Sequence, residues 1–341
     1  MVLRKAGMID MQNMLAQFCM GQLGFGPVGE IRMLTGATGN ARNYFRDKIN
    51  EANLHTKISK AEEAMVTQRN DVLVVTPDSH TWYGDDHVAA AALTWDKQNT
   101  HVLGLDPGGI GGYQRARFAG DAAVIATLMT VSGNSNKFKN LRWMHGSGSA
   151  TETQIMTVSG AGNVFENCCF ASPINQTQAD SASFRGMIVT GSSNHFKNCL
   201  FGTSNAIHRN SASSMLQLSG GNGLNVFENC IFRSRSQATT PVFIRHTATG
   251  TGGQISAFFL NCQFVNATTL AGSYDLAVGI TNSADATMFL YFDNRCSFSG
   301  VTNVVTSGQE AKIYWGNAGG NADFAAYNDR LGLGLAVNPA T

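Results

Sequence analysis

The chain has 341 residues, 43% of them hydrophobic and only 14% charged, with a formal net charge of +1. So sparse and balanced a charge leaves no overall electrostatic footprint for nucleic acid or an anionic membrane, and the hydrophobic share is too high for a disordered chain. Thirty-seven Gly beside six Pro suit a fold with many tight turns.

In chain order, Met8, Met11, Met14, Leu15 and Phe18 recur at three- and four-residue steps and predict a helix, which Gly21, Gly24, Gly26, Pro27 and Gly29 end. No second apolar element accompanies this stripe, so residues 1–40 are expected to form an anchoring arm that docks on another chain. Asp10, Gln12, Asn13 and Gln17 interrupt anything resembling an apolar signal core, and no stretch approaches ~18 apolar residues. Synthesis in a cytoplasm, with no membrane partner, is the expectation. Over residues 41–69, Phe45, Ile49 and Ala52 fall at helical spacing with charges opposite them, which predicts a helix capping whatever follows. Leu54 lies off that stripe.

From residue 70 to 315 a repeat takes over. The phrase Phe, variable, Asn, Cys, variable, aromatic occurs with its leading ring at Phe138, Phe165, Phe196, Phe227, Phe259 and Phe292, at separations of 27, 31, 31, 32 and 33 residues. Its Asn positions are Asn140, Asn167, Asn198, Asn229, Asn261 and Asn294, and its Cys positions are Cys168, Cys199, Cys230 and Cys262, with Cys296 one residue displaced. Alternation on both sides of an Asn that tolerates a left-handed backbone describes two short strands meeting at a corner. A further alternating strand ending in Gly precedes each phrase, as at Met156 to Gly160 and Met187 to Gly191. With no helical pattern inside the period, an all-β solenoid of roughly eight coils follows, with ladders of Phe, Asn and Cys spaced ~4.8 Å apart. Residues 316–341, rich in small side chains, read as a tail.

These residues resemble the right-handed parallel β-helix proteins of the pectate-lyase-like type, and among them virion proteins of tailed bacteriophages. That resemblance implies the architecture and an N-terminal capping helix. It also names what to look for in catalysis. Polygalacturonase-like members carry Asn-Thr-Asp, Gly-His-Gly and Arg-Ile-Lys, none of which occurs here, and lyase members need a calcium-binding acidic cluster, whereas residues 130–270 hold only Glu152, Glu166, Asp180 and Glu228. Glu166 and Glu228 share one outward column, but the column runs Lys139, Glu166, Lys197, Glu228, which is a ladder of cross-strand charge pairs, and a neighbouring Lys would keep each carboxyl ionised. Asp85, Asp86 and His87 read as a solvated loop.

No catalytic residues, cofactor or metal are therefore expected, and no Cys-x-x-Cys or His-x-x-x-His spacing occurs. The seven Cys read as reduced thiols in packing roles. The slot after Cys holds Cys169, Leu200 and Ile231, an apolar stripe on the flank that calls for cover by a symmetry mate or an inserted loop, as in a side-by-side trimer of rods. The reading that follows is a non-enzymatic virion protein of a tailed phage. It would be a homotrimeric capsid decoration or cement protein on the major capsid protein or another virion protein. The alternative is a tailspike that binds or cleaves a host glycan.

Overall fold

The structure is a computed structural model that describes residues 2–316, apart from 25, 37–39, 47, 78–87, 90–91, 107–115, 121–124, 146–150, 152, 172–180, 203–211, 221–222, 251–253, 268–273 and 284–285. Asp85, Asp86, His87, Glu152, Asp180 and the tail beyond 316 lie outside the described residues.

Three parallel sheets of 11, 8 and 8 strands wrap around one another as a right-handed parallel β-helix. Each coil contributes one strand to each sheet. In one such coil Gln154–Val158 lies in the third sheet, Val164–Glu166 in the first and Cys169–Ala171 in the second. Eight complete coils run from Asp71–Val75 to Val301–Val305, and Ile313–Trp315 adds a last strand to the first sheet. The period fixes this result because the pairings set the Phe of one repeat against the Phe of the next: Phe138 to Phe165, Phe165 to Phe196, and Phe196 to Phe227.

The inward ladders are built from those registers. Phe138, Phe165, Phe196, Phe227, Phe259, Phe292 and Trp315 stack with ring centroids 4.6 to 4.9 Å apart. A second file, Trp143, Phe170, Phe201, Phe232, Phe264 and Phe298, stacks at 4.3 to 5.2 Å and meets the first edge-on. Burying each ring stabilises by about 1.5–3 kcal/mol, and offset stacking adds about 0.5–1.5 kcal/mol. Beside them the thiols of Cys168, Cys199, Cys230, Cys262 and Cys296 each donate to a Phe carbonyl one coil earlier, at 3.2 to 3.4 Å. All seven cysteines are free and buried. Burial pushes the Cys168, Cys199 and Cys230 thiols well up, so they stay protonated.

At the corner between the first and second sheets, Asn140, Asn167, Asn198, Asn229 and Asn261 hold φ of 52 to 58°, the left-handed region that Asn accepts. Their amides bond from coil to coil: Asn167 to Asn140 at 3.2 Å, Asn229 to Asn198 at 3.2 Å and Asn261 to Asn229 at 2.8 Å. Asn294 departs from the expected file. It is exposed and outside the left-handed region, because the last phrase carries one extra residue between its aromatic rings. Asp293 takes over there, its Oδ1 accepting from the main-chain N–H groups of Asn261 and Arg295 at 2.9 and 3.1 Å.

The N-terminal end differs from the single capping helix expected. Residues 40–69 form α2 (Asn40–Arg46), a 3-10 turn (Glu51–Asn53), a strand (Leu54–His55) and α3 (Ile58–Ala64). Ile58, Ala61 and Met65 of this end close the first coil against Leu34, Leu73 and Val75. Ile31–Leu34, inside the expected arm, is itself a strand of the rod, paired with both Leu54–His55 and Asp71–Val75. Arg69 fixes the junction: its guanidinium bonds Asp71 at 2.6 Å and Glu30 at 2.9 Å, and Glu30 bonds Arg32 at 2.8 Å.

Candidate functional site

The outer face of the first sheet brings together the chemically distinctive side chains. Alternation leaves two columns pointing outward. One runs through His101, Lys137, Val164, His195, Val226, Phe258, Tyr291 and Tyr314, and the other through Leu103, Lys139, Glu166, Lys197, Glu228 and Leu260. Along the rod they divide into three zones.

The first zone is covered by α1 (Val2–Leu23). Cys19 and Leu23 are buried on Met33, Val72, Val74 and Leu103, and Leu15 packs at the edge of that cluster. Lys137 and Lys139 donate to the Leu23 and Gln22 carbonyls at 3.0 and 2.9 Å, so two ammonium groups bind the carbonyls that end a helix, where its dipole is negative. The arm thus has a partner within its own chain, against the expectation of none. Leu15 faces the rod, whereas Met14 is 63% and Phe18 43% exposed. Met8 and Met11 lie in the same helix, with side chains outside the described residues.

The second zone is charged. Glu166 accepts from Lys137 at 2.8 Å and Lys139 at 2.7 Å, and Glu228 meets His195 at 3.0 Å and Lys197 at 3.6 Å. Partial burial would raise the Glu166 carboxyl, but the two lysines outweigh it and hold the group below the usual carboxylate range. A carboxylate so held does not store a proton. Lys197 stands between Glu166 and Glu228 in register, as the column predicts.

The third zone is aromatic, and the sequence reading missed it. Phe258, Tyr291 and Tyr314 occupy successive rungs as partly exposed rings, with Phe258 and Tyr291 5.6 Å apart and Phe289 flanking Tyr314 at 4.8 Å. The signal was present, since each lies at an outward slot beside a ring of the inward file, Tyr314 beside Trp315, but only three rungs supply it.

Of the two kinds of cover expected for the flank, a symmetry mate or the same chain, the described residues show the second. Cys169 and Leu200 are each 1% exposed within the single chain and pack with Met144 and Ala171, and Ile231 packs against that cluster half-buried. They offer no open stripe to a symmetry mate. A buried amide file also escaped the sequence reading. Asn136, Asn163, Asn194 and Asn225 stand two residues ahead of Phe138, Phe165, Phe196 and Phe227, and the Oδ1 of Asn163, Asn194 and Asn225 accepts the preceding Asn N–H at 2.9 to 3.0 Å. The Nδ2 groups of those same three donate to the carbonyls of Gly133, Gly160 and Gly191 at 3.0 to 3.1 Å. Among the described residues no group of three His, Cys, Asp or Glu is placed to hold a metal ion, and no helix is long and apolar enough to cross a membrane.

No family model and no curated protein matches the chain. Among solved structures it is similar to pectin methylesterases. PemA from Erwinia chrysanthemi aligns at 11% identity and TM-score 0.42 over 85% of this chain and 93% of its own. A pectin methylesterase in complex with hexasaccharide VII aligns at 11% and 0.41 over 90% and 98%. At that identity the likeness concerns the fold alone. The expectation that the chain is no enzyme is dropped beside these esterases, and no activity of this chain follows from them.

Proposed function

We propose that the protein is a rod that lays an extended polysaccharide along the outer face of its first sheet and is tethered through its N-terminal helix. The observation that supports this is the row of partly exposed rings Phe258, Tyr291 and Tyr314 on successive rungs, next to the paired Lys197, Glu228 and His195. Sugar rings present C–H faces that rest on aromatic faces, and charged hydrogen-bonding groups beside them meet hydroxyls. A receptor-binding rod of a tailed-phage virion, of the tailspike type, is the setting this reading favours, with a host surface glycan as ligand.

A second reading, a homotrimeric decoration protein on a phage capsid surface, draws its support from α1. Met14 and Phe18 leave an apolar face uncovered beside the docked face, where the major capsid protein or another virion protein would sit.

The two readings separate in one experiment. Binding of the intact chain to an array of bacterial surface polysaccharides is measured beside the variant Tyr291→Ala with Tyr314→Ala. Retention of a polysaccharide by the parent chain, with at least tenfold weaker retention by the variant, is the expected result. Equal retention by both would remove the aromatic row from the argument. Retention of no polysaccharide, together with co-sedimentation of the chain with capsids through residues 1–18, would move the assignment to the capsid.

A further inference from the structure

The net charge of +1 conceals a segregated one. Between residues 130 and 270 nine Lys and Arg stand against four Asp and Glu, and Glu166 and Glu228 are taken by the lysines and histidine of the first sheet. The third sheet carries arginines that meet neither of these two glutamates. Arg185, Gln217 and Arg245 lie on three successive rungs, with Gln217 and Arg245 directly in register. Arg185 is held in place: Nε donates to Gln217 Oε1 at 2.9 Å, and Nη1 to the Ala182 and Phe184 carbonyls at 2.9 and 2.7 Å. Among the described residues Arg245 has one long contact, Nη2 to the Ala212 carbonyl at 3.5 Å, and its buried Nε has no partner. Among the described residues neither guanidinium meets a carboxylate.

Two like charges two rungs apart in a partly buried place repel. Burial and, after it, the charge of Arg245 lower the Arg185 pKa to about 10. The backbone carbonyls and the Gln217 amide nevertheless fix Arg185 in that position, so the repulsion is built into rigid sheet. Planar guanidinium forks match tetrahedral and planar oxyanions with paired N–H donors, and a phosphate monoester carries about −1.5 to −2 charge at neutral pH, enough to offset two arginines.

We propose that Arg185 and Arg245, with Gln217 between them, form an oxyanion site on the third sheet that takes a phosphate monoester group. The site lies on a different sheet from the aromatic row and stands or falls independently of the polysaccharide reading.

The test is thermal unfolding of the full chain at constant ionic strength with sodium chloride, inorganic phosphate, glucose or glucose 6-phosphate, for the parent, Arg185→Gln, Arg245→Gln and the control Arg295→Gln, whose guanidinium is already paired with Asp293 at 2.8 Å. Expected is a rise in melting temperature of several degrees with phosphate and with glucose 6-phosphate but not with glucose. That rise should persist in the control and vanish in the other two variants. Relief of repulsion further predicts that Arg245→Gln melts at or above the parent when phosphate is absent, which keeps the test readable, and a unique drop there would overturn the repulsion argument. A rise with glucose 6-phosphate alone would keep the site and restrict it to sugar phosphates, and one with inorganic phosphate alone would overturn its assignment to a monoester. No rise at tens of millimolar anion, or an equal rise in all four proteins, would overturn the proposal.

Discussion

A single amide carries different weight at two places on one coil. Asn194 is fully buried. It accepts the Asn163 N–H through Oδ1 of its own side chain and donates to the Gly160 carbonyl, so Asn194→Ala strands a donor and an acceptor where water does not reach. A loss of about 2–4 kcal/mol follows. Asn198 at the corner is only partly buried, and its φ of 52° is its chief contribution. Asn198→Gly should therefore be near neutral and Asn198→Ala cost about 1 kcal/mol, an ordering that urea midpoints would check. The corner file was legible because Asn recurs at one slot of every phrase. The buried file recurs in four of the six phrases, at the inward slot two residues before Phe that alternation assigns to the core, but a polar residue there contradicts the usual inside-outside reading. Glu62 was not legible at all. Its neighbours Asp96 and Lys97 lie a whole coil away, and burial first, then Asp96, raise its carboxyl to about 7 against the attraction of Lys97. The folded chain therefore holds a proton that the unfolded chain releases from pH 4.5 upward. The contribution is complete below that value and lost as pH rises through 7. Glu62→Gln should stabilise at pH 8, by on the order of 2 kcal/mol, and change little at pH 4, as read from melting in both buffers.

Among the elements, α1 shows what composition hides. Its Met stripe announced a helix, and the helix formed, but the face that docks is Leu15, Cys19 and Leu23, a set that begins with the stripe and then leaves it. The missing knowledge was the outer surface of the first coils, where Val72, Val74 and Leu103 are apolar on a face that alternation would make polar. A similar blindness affected the cap, where Leu54 departs from the helical stripe because Leu54–His55 pairs with Ile31–Leu34. The lysine clamp on the end of α1 gives a prediction at this scale. Lys137→Ala with Lys139→Ala removes both donors to Leu23 and Gln22 and leaves the buried Cys19 and Leu23 contacts in place. Amide hydrogen exchange over residues 15–24 should accelerate at least tenfold while exchange in Val164–Glu166 and later strands stays unchanged. Glu166, whose folded carboxyl sits below its ordinary 4.5, adds a pH signature. Its pairing stabilises the native chain above pH 4.5 and is lost as pH falls through the lower folded value.

For the whole molecule, the ladders make each coil depend on the coil above and below, and on little else. Stability then sums rung by rung with strong nearest-neighbour coupling, so the same truncation should cost more in the middle than at an end. Phe196 stacks on Phe165 and Phe227 at 4.9 and 4.7 Å and touches Phe201 and Phe170 edge-on. Phe196→Ala breaks the file in two and should cost about 3–5 kcal/mol. Trp315, at the end of the file among the described residues, stacks on Phe292 at 4.9 Å and retains 7% exposure, so Trp315→Ala should cost less and fray only the last coil. The N-terminal end obeys the same logic with a different boundary from the one the arm suggested. Deleting residues 1–13 leaves Leu15, Cys19 and Leu23 in place and should leave the melting temperature within a few degrees. Deleting residues 1–30 uncovers Val72, Val74 and Leu103 and removes the Glu30 contacts to Arg32 and Arg69. Its melting temperature should fall, with exchange accelerating first in Asp71–Val75 and Thr100–Gly104. An equal effect of the two deletions would mean that the first zone of the outer face needs no cover, and that α1 is held by the rod without holding it in return.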